Sequence, residues 1–165
     1  MSKPAATPSL KRHAKRARTM FKLINYYPPL IGAGIRVVDH NEESTRIVVE
    51  MKLTWWNKNV VGTQFGGSLY MMTDPFFMAI LMINLGPDYI VWDKSAAIRF
   101  LKPGRGRVRA VFEIAPDEIA QIKAAADDGP KVEPVFTVDI TDDAGQVIAQ
   151  VTKELYVRRK DRSRA

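Results

Sequence analysis

The sequence predicts an α+β domain in which an antiparallel sheet of about five to six strands wraps one long apolar helix. Three observations carry that prediction. From Gly66 to Leu85 the only charged residue is Asp74, and the run ends at Gly86-Pro87, a helix stop. Strand-like alternation flanks this run on both sides. The strands are grouped rather than interleaved with helices, which favours an antiparallel sheet over parallel βαβ units. With 165 residues and 46% hydrophobic content, the chain fits one domain with one core.

The elements follow in order. Residues 1–28 read as a basic leader and an amphipathic helix, residues 29–158 as the folded domain, and residues 159–165 as a basic tail. In the first segment Leu10, Ala14, Ala17, Phe21 and Ile24 recur at the helical period, among Lys11, Arg12, Lys15, Arg16, Arg18 and Lys22, and Pro28-Pro29 is expected to stop this helix. Ile35 to Val38 makes a short strand. Arg46 to Leu53 is a clearer one, with Ile47, Val49, Met51 and Leu53 alternating against a mostly wet face. After the central helix, strands are expected at Ser95 to Lys102 and at Arg107 to Ile114. A helix from Pro116 to Ala126 starts on Asp117-Glu118, acids well placed for a helix N-terminus. Val135 to Ile140 and Gln146 to Val157 pair as a hairpin across an Asp-Asp-Ala-Gly turn.

The central run is also long enough to cross a membrane. An aspartate near its middle would cost about 2.5–3.5 kcal/mol on insertion scales, and the flanking strands want a soluble core. No stable membrane insertion is therefore expected. Pro75 cannot donate to the carbonyl of Met71, so a kink is expected beside Asp74.

Composition narrows the chemistry. There is no cysteine, which removes disulfides, thiolate metal sites and a cysteine nucleophile, and together with the lack of a secretory signal points to a cytoplasmic protein. The basic, acid-free start leaves a mitochondrial address open. Two histidines, His13 and His40, read as arm and loop residues, so neither a histidine-rich metal site nor a Ser-His-Asp triad has much to draw on. No metal is expected. Charge is uneven: residues 1–38 carry +8, residues 39–152 carry −5 and residues 153–165 carry +4. Basic ends suit anionic partners, but without interleaved aromatic and basic residues no nucleic-acid partner is expected.

Around the start of the apolar run stand Asn59, Gly62, Gln64, Phe65-Gly66-Gly67 and Asp74, and downstream runs Ala97-Ile98-Arg99-Phe100-Leu101-Lys102-Pro103. This pattern resembles the hotdog-fold acyl-coenzyme A thioesterases, particularly the phenylacetate-pathway branch, over roughly residues 35–157. Members commonly read Asn, Gly, then His-Gly-Gly, with an acid nine residues after the histidine. Here Phe65 stands in place of that histidine.

The resemblance implies a hotdog fold, hydrolysis of a small-molecule acyl thioester, and no cofactor beyond coenzyme A as part of the substrate. It implies a homodimer, or a tetramer built as a dimer of dimers, in which one subunit's helix start faces its partner's carboxylate. Asp74 is then the nucleophile or general base. Gly66 and Gly67 expose backbone N–H groups to an oxyanion, as a glycine-rich helix start permits. Asn59 holds the carbonyl or orients water, and Gln64 offers a side-chain amide. Phe65, Lys102, Arg105 and Arg107 are expected to bind substrate, the cations through phosphates. Phe76, Phe77, Met78, Met82 and Trp92 are open between acyl pocket and core. The alternative is a non-catalytic acyl-thioester or fatty-acid binding protein that kept the fold.

Overall fold

A computed structural model describes residues 19–20 and 23–160. Most of the amphipathic helix expected over residues 10–24, and residues 161–165 of the basic tail, lie outside that range; 19–20 and 23–24 are helical. Asn25 ties this segment to the domain. Its side chain accepts from the Val37 N–H at 2.8 Å and donates to the Val37 carbonyl at 2.9 Å.

Six strands form one antiparallel sheet: β1 (Ile35–His40), β2 (Arg46–Lys52), β3 (Tyr89–Phe100), β4 (Arg107–Glu113), β5 (Val135–Asp142) and β6 (Val147–Arg159). Their spatial order is β1-β2-β4-β5-β6-β3. The register obeys the alternation visible in the sequence. Ile47, Val49 and Met51 of β2 pair with Phe112, Ala110 and Val108 of β4, and all six are fully buried. The β5–β6 turn is closed by the Asp142 carboxylate, which accepts from the N–H groups of Ala144 and Gln146 at 3.0 and 2.9 Å. Gly145 supplies the left-handed conformation at φ 75°.

Besides the helical residues before Asn25, four helices stand among the described residues: α1 (Pro28–Ala33), α2 (Gly66–Met71), α3 (Phe76–Leu85) and α4 (Pro116–Asp128). The α3 helix is apolar nearly all round because most of it is covered: Phe76, Phe77, Ala79, Ile80, Leu81 and Leu85 are buried, and Met82 is exposed. Phe76 packs at 5.0 Å from Phe112, while Phe77 meets Phe112 edge-on at 5.1 Å and stacks on Phe136 at 4.8 Å. Phe76 and Phe77 are therefore core. The α4 helix buries Ile119, Ile122 and Ala126, and its Asp127 accepts from the Tyr89 hydroxyl at 2.6 Å. Phe112 touches both central aromatics, so Phe112→Ala is expected to destabilise the fold by about 3–5 kcal/mol, read as a lower denaturant midpoint.

Most strand and helix ends differ from the expected ones by one or two residues, and three differences are larger or of another kind. Pro28-Pro29 starts α1 instead of stopping the preceding helix, because proline in the first helical turn sacrifices no bonded N–H. The expected kink at Pro75 is a full break: residues 72–75 are turn, and the Asp74 N–H reaches back three residues to the Met71 carbonyl at 3.2 Å. Finally, β3 begins at Tyr89 rather than at Ser95. A bulge between Asp93 and Ser95, centred on Lys94, shifts the alternation and hides the strand's first half.

Candidate functional site

The loop before α2 is organised by Asn59. Its side-chain oxygen accepts from the N–H groups of Val61 and Thr63 at 3.1 and 3.0 Å, and its amide donates to the Thr63 hydroxyl at 2.9 Å and to the Gln64 carbonyl at 3.3 Å. Gly62 turns the loop at φ 79°. Gln64 is buried, and its amide donates to the Gly106 carbonyl at 3.0 Å while approaching that of Met51 at 3.5 Å. Both amides are thus committed to protein partners, while the buried side-chain oxygen of Gln64 has none.

This loop and the turn after β3 enclose a groove of about 490 Å³ at the start of α2, lined by Asn59, Gln64, Gly66, Phe100, Lys102 and Arg105 among others. Phe65 precedes the helix without a side-chain cap, so the first N–H groups of α2 keep no partner from that side chain. Gly66 lies close under the exposed Phe100 ring, which a Cβ there would approach to 3.0 Å. At Gly67 a Cβ would come within 2.5 Å of the Phe65 ring, so the half-exposed Phe65 lies across the second glycine.

Arg107 does not join this groove. Strand alternation turns it to the outer face, where it pairs with Asp143 at 3.0 Å and Glu50 at 3.5 Å, on the rim of a different cleft. Lys102 does line the groove, donating to the Gln146 side chain at 2.7 Å. Trp92 is also on the outer face, opposite Tyr156 and two-thirds exposed, so it lines no interior pocket. Met82 is partly exposed, and Met78 packs at the margin of the core.

Asp74 sits at the helix break, eight residues beyond Gly66, a separation of about 12 Å at helical rise. It does not line the groove. Its Oδ1 accepts from Lys153 Nζ at 3.0 Å, and its backbone carbonyl accepts from the same ammonium at 2.9 Å. A third bond runs from Nζ to Asp93 Oδ2 at 3.0 Å, and the Tyr70 ring lies 5.7 Å away. The Lys153 side chain is only 1% exposed, whereas that of Asp74 is 54% exposed. No hydrogen bond within the described residues reaches Asp74 Oδ2, so one oxygen is held and the other faces solvent.

Sequence reasoning missed Lys153 and Asp93. The available signal was phase: Val151, Lys153, Leu155 and Val157 occupy the same face of β6, so the lysine stands where the core expects an apolar residue. Burial pushes its pKa down, but bonds to the two carboxylates outweigh that and hold it above the ordinary 10.5. Burial likewise drives the Asp93 carboxyl up, and the ammonium only partly offsets it. Because the folded value of Lys153 lies above the unfolded one, its stabilising share is complete below pH 10.5 and is lost as pH rises through the folded value. Thermal melts between pH 9 and 12 should therefore fall more steeply for the native chain than for Lys153→Met. Among the described residues, no group of three or more His, Cys, Asp or Glu could hold a metal ion.

The sheet is open beyond β3. This twelve-residue strand pairs only with β6, and Ala96, Ala97, Phe100 and the following Leu101 are exposed.

The profile of a domain of unknown function, DUF4442, matches residues 16–157. No curated protein matches the chain. Solved structures do. A Pseudomonas aeruginosa protein of unknown function, described as a "probable thioesterase", superposes with a TM-score of 0.75 at 19% identity, covering 88% of this chain and 95% of its own. The PaaI protein from the phenylacetic acid degradation operon of E. coli gives 0.61 at 17% identity, covering 93% and 97%. A thioesterase from Haemophilus influenzae gives 0.62 at 14% identity, covering 87% and 90%. The fold is the hotdog fold of these proteins.

Proposed function

The chain belongs to the DUF4442 family, and from that premise we propose that it hydrolyses acyl thioesters, with coenzyme A as the carrier. The observation that carries this reading is the Asp74 carboxylate, bonded through Oδ1 to a buried ammonium and presenting Oδ2 to solvent. A reacting carboxylate needs that arrangement, with its position fixed and one lone-pair-bearing oxygen unengaged. The names of the solved neighbours agree with this chemistry.

Hydrolysis adds water across the C–S bond. In one route Oδ2 takes a proton from water as the water attacks the carbonyl carbon, the C–S bond breaks and the thiolate leaves. In the other Oδ2 attacks the carbon itself, the thiolate leaves, and a water then hydrolyses the resulting acyl-aspartyl anhydride, releasing the acid and restoring Asp74. Negative charge grows on the carbonyl oxygen, and the uncapped start of α2 at Gly66 and Gly67 offers backbone N–H groups to it. Asn59 and Gln64 then serve as the scaffold that shapes the groove. Lys102 and Arg105, at its rim, suit the phosphates of coenzyme A.

The separation between Asp74 and the groove within one protomer is met by pairing two copies. The unpaired β3 edge favours this, since a long edge strand with unpaired backbone groups is a template for a second strand. In such a dimer each groove faces the partner's Asp74. Thiol release from a panel of acyl-coenzyme A substrates, followed spectroscopically, tests the reading, and a purified protein that releases no thiol from any of them refutes it.

A second reading has one observation in its favour. Phe65 replaces the familiar histidine and covers Gly67, which suits an apolar acyl chain better than a polar carbonyl. The protein is then a non-catalytic acyl-thioester or fatty-acid binder. Saturable binding of acyl-coenzyme A without thiol release distinguishes it.

A further inference from the structure

We propose that Lys153 is a positioning residue for Asp74, and that Asp93 sets how much of the ammonium's charge Asp74 receives. The inference rests on the reading of Asp74 as the reacting carboxylate.

An ammonium has three hydrogens, and here all three are used, at 2.9, 3.0 and 3.0 Å, on the Asp74 carbonyl, Asp74 Oδ1 and Asp93 Oδ2. Two of the three fall on the same residue. Gripping both the backbone oxygen and one carboxylate oxygen of Asp74 fixes the side-chain torsions and aims Oδ2 away from the lysine. The grip matters because residues 72–75 form a break between helices, where the Thr73 and Asp74 N–H groups reach back only three residues, to Tyr70 and Met71, instead of continuing the regular ladder.

The lysine is poorly explained as a stability device. It occupies an inward position of β6, paired with Ala96 on one side and Phe136 on the other, with its side chain 1% exposed. Replacing a buried ion pair by apolar side chains of similar size is often neutral or stabilising. The chain instead keeps two acids around one base and leaves Asp93 Oδ1 buried without a partner. The bulge at Lys94 has a purpose in this setting: it puts Asp93, opposite Leu155, and Ala96, opposite Lys153, on the same face of the strand, so that Asp93 reaches Nζ. The groups that face the ammonium are Asp74 from the helix break, Asp93 from β3 and the Tyr70 ring from α2.

Asp93 divides the positive charge. Neutralising it while keeping an oxygen for Nζ, as Asp93→Asn does, leaves the ammonium facing a single carboxylate. Removing the ammonium, as Lys153→Met does, leaves two acids facing each other. The two variants should therefore move the acid limb of the activity profile in opposite directions, an effect that simple loosening of the fold does not produce.

The experiment compares native, Lys153→Met, Lys153→Arg, Asp93→Asn and Asp74→Asn proteins, each checked for folding by circular dichroism, in kcat and KM across pH 4–9. Lys153→Met is expected to lose about 100-fold in kcat, as misplacement of a reacting group does, with KM changed less than about threefold. Its acid limb should move up, as expected when an adjacent opposite charge is lost. Asp93→Asn should retain kcat within about tenfold and move the limb down. Lys153→Arg keeps the charge and should leave the limb nearer the native position than Lys153→Met does. A folded Lys153→Met with native kcat and an unmoved limb overturns the inference, and so does a limb moving the same way in both Lys153→Met and Asp93→Asn. If Asp74→Asn retains native turnover, the reading of Asp74 itself fails; if the native chain releases no thiol, both fall.

Discussion

Asp74→Asn is expected to lower kcat by about 100- to 10,000-fold, the range a positioned acid or base contributes, while the fold survives. The amide can still accept from Lys153 at the site of Oδ1, so the ammonium keeps a partner there and the backbone carbonyl bond is untouched. What is lost is the ability of the outward atom to take a proton or to attack a carbonyl. Substrate binding depends on the groove, which Asp74 does not line, so KM should change little. Thiol release measured under saturating substrate decides the matter. Unchanged turnover would remove Asp74 from the mechanism.

The second expectation is complementation. Gly66→Val places a branched side chain where even a single carbon would stand 3.0 Å from the Phe100 ring, at the mouth of the groove. Alone, the variant should be nearly inactive, because its groove is blocked although its Asp74 is intact. Asp74→Asn has the reverse defect. If each site draws its groove from one copy and its carboxylate from another, mixing the two after denaturation and refolding creates dimers with one sound site. Random pairing in a two-fold dimer gives about a quarter of native activity. No recovery, in a mixture shown by mass to contain hybrids, would place both parts of the site in one subunit.

Much of this architecture can be read from residue order, and the failures have physical causes. The inward residues of β4 and the hairpin turn at Asp142 to Gln146 follow from alternation and turn chemistry, which are local. The loop from Asn59 to the paired glycines and the isolated acid in an apolar run were also visible. The partner of that acid was not, because Asp74 and Lys153 are 79 residues apart and meet only through the strand order. Asp93 was obscured by the bulge, where three polar residues, Asp93, Lys94 and Ser95, stand in succession and disguise a strand as a loop. Grouping Arg107 with Lys102 and Arg105 was a neighbour's error. Lys102 and Arg105 lie at the turn beside the groove, while Arg107 has already entered a strand and faces the other way.

The break at residues 72–75 also bears on how the site comes into being. It divides the apolar run into helices of six and ten residues, both shorter than the roughly 12–15 residues an isolated helix needs to persist in water. Neither can form ahead of the sheet and wait for it. The chain must first draw β6 and β3 around the segment, so the carboxylate takes its place only when the last strand, carrying Lys153, has docked. During synthesis the site therefore stays unformed until the C-terminal strand emerges, and a truncated chain would carry every residue of the groove loop without a working carboxylate.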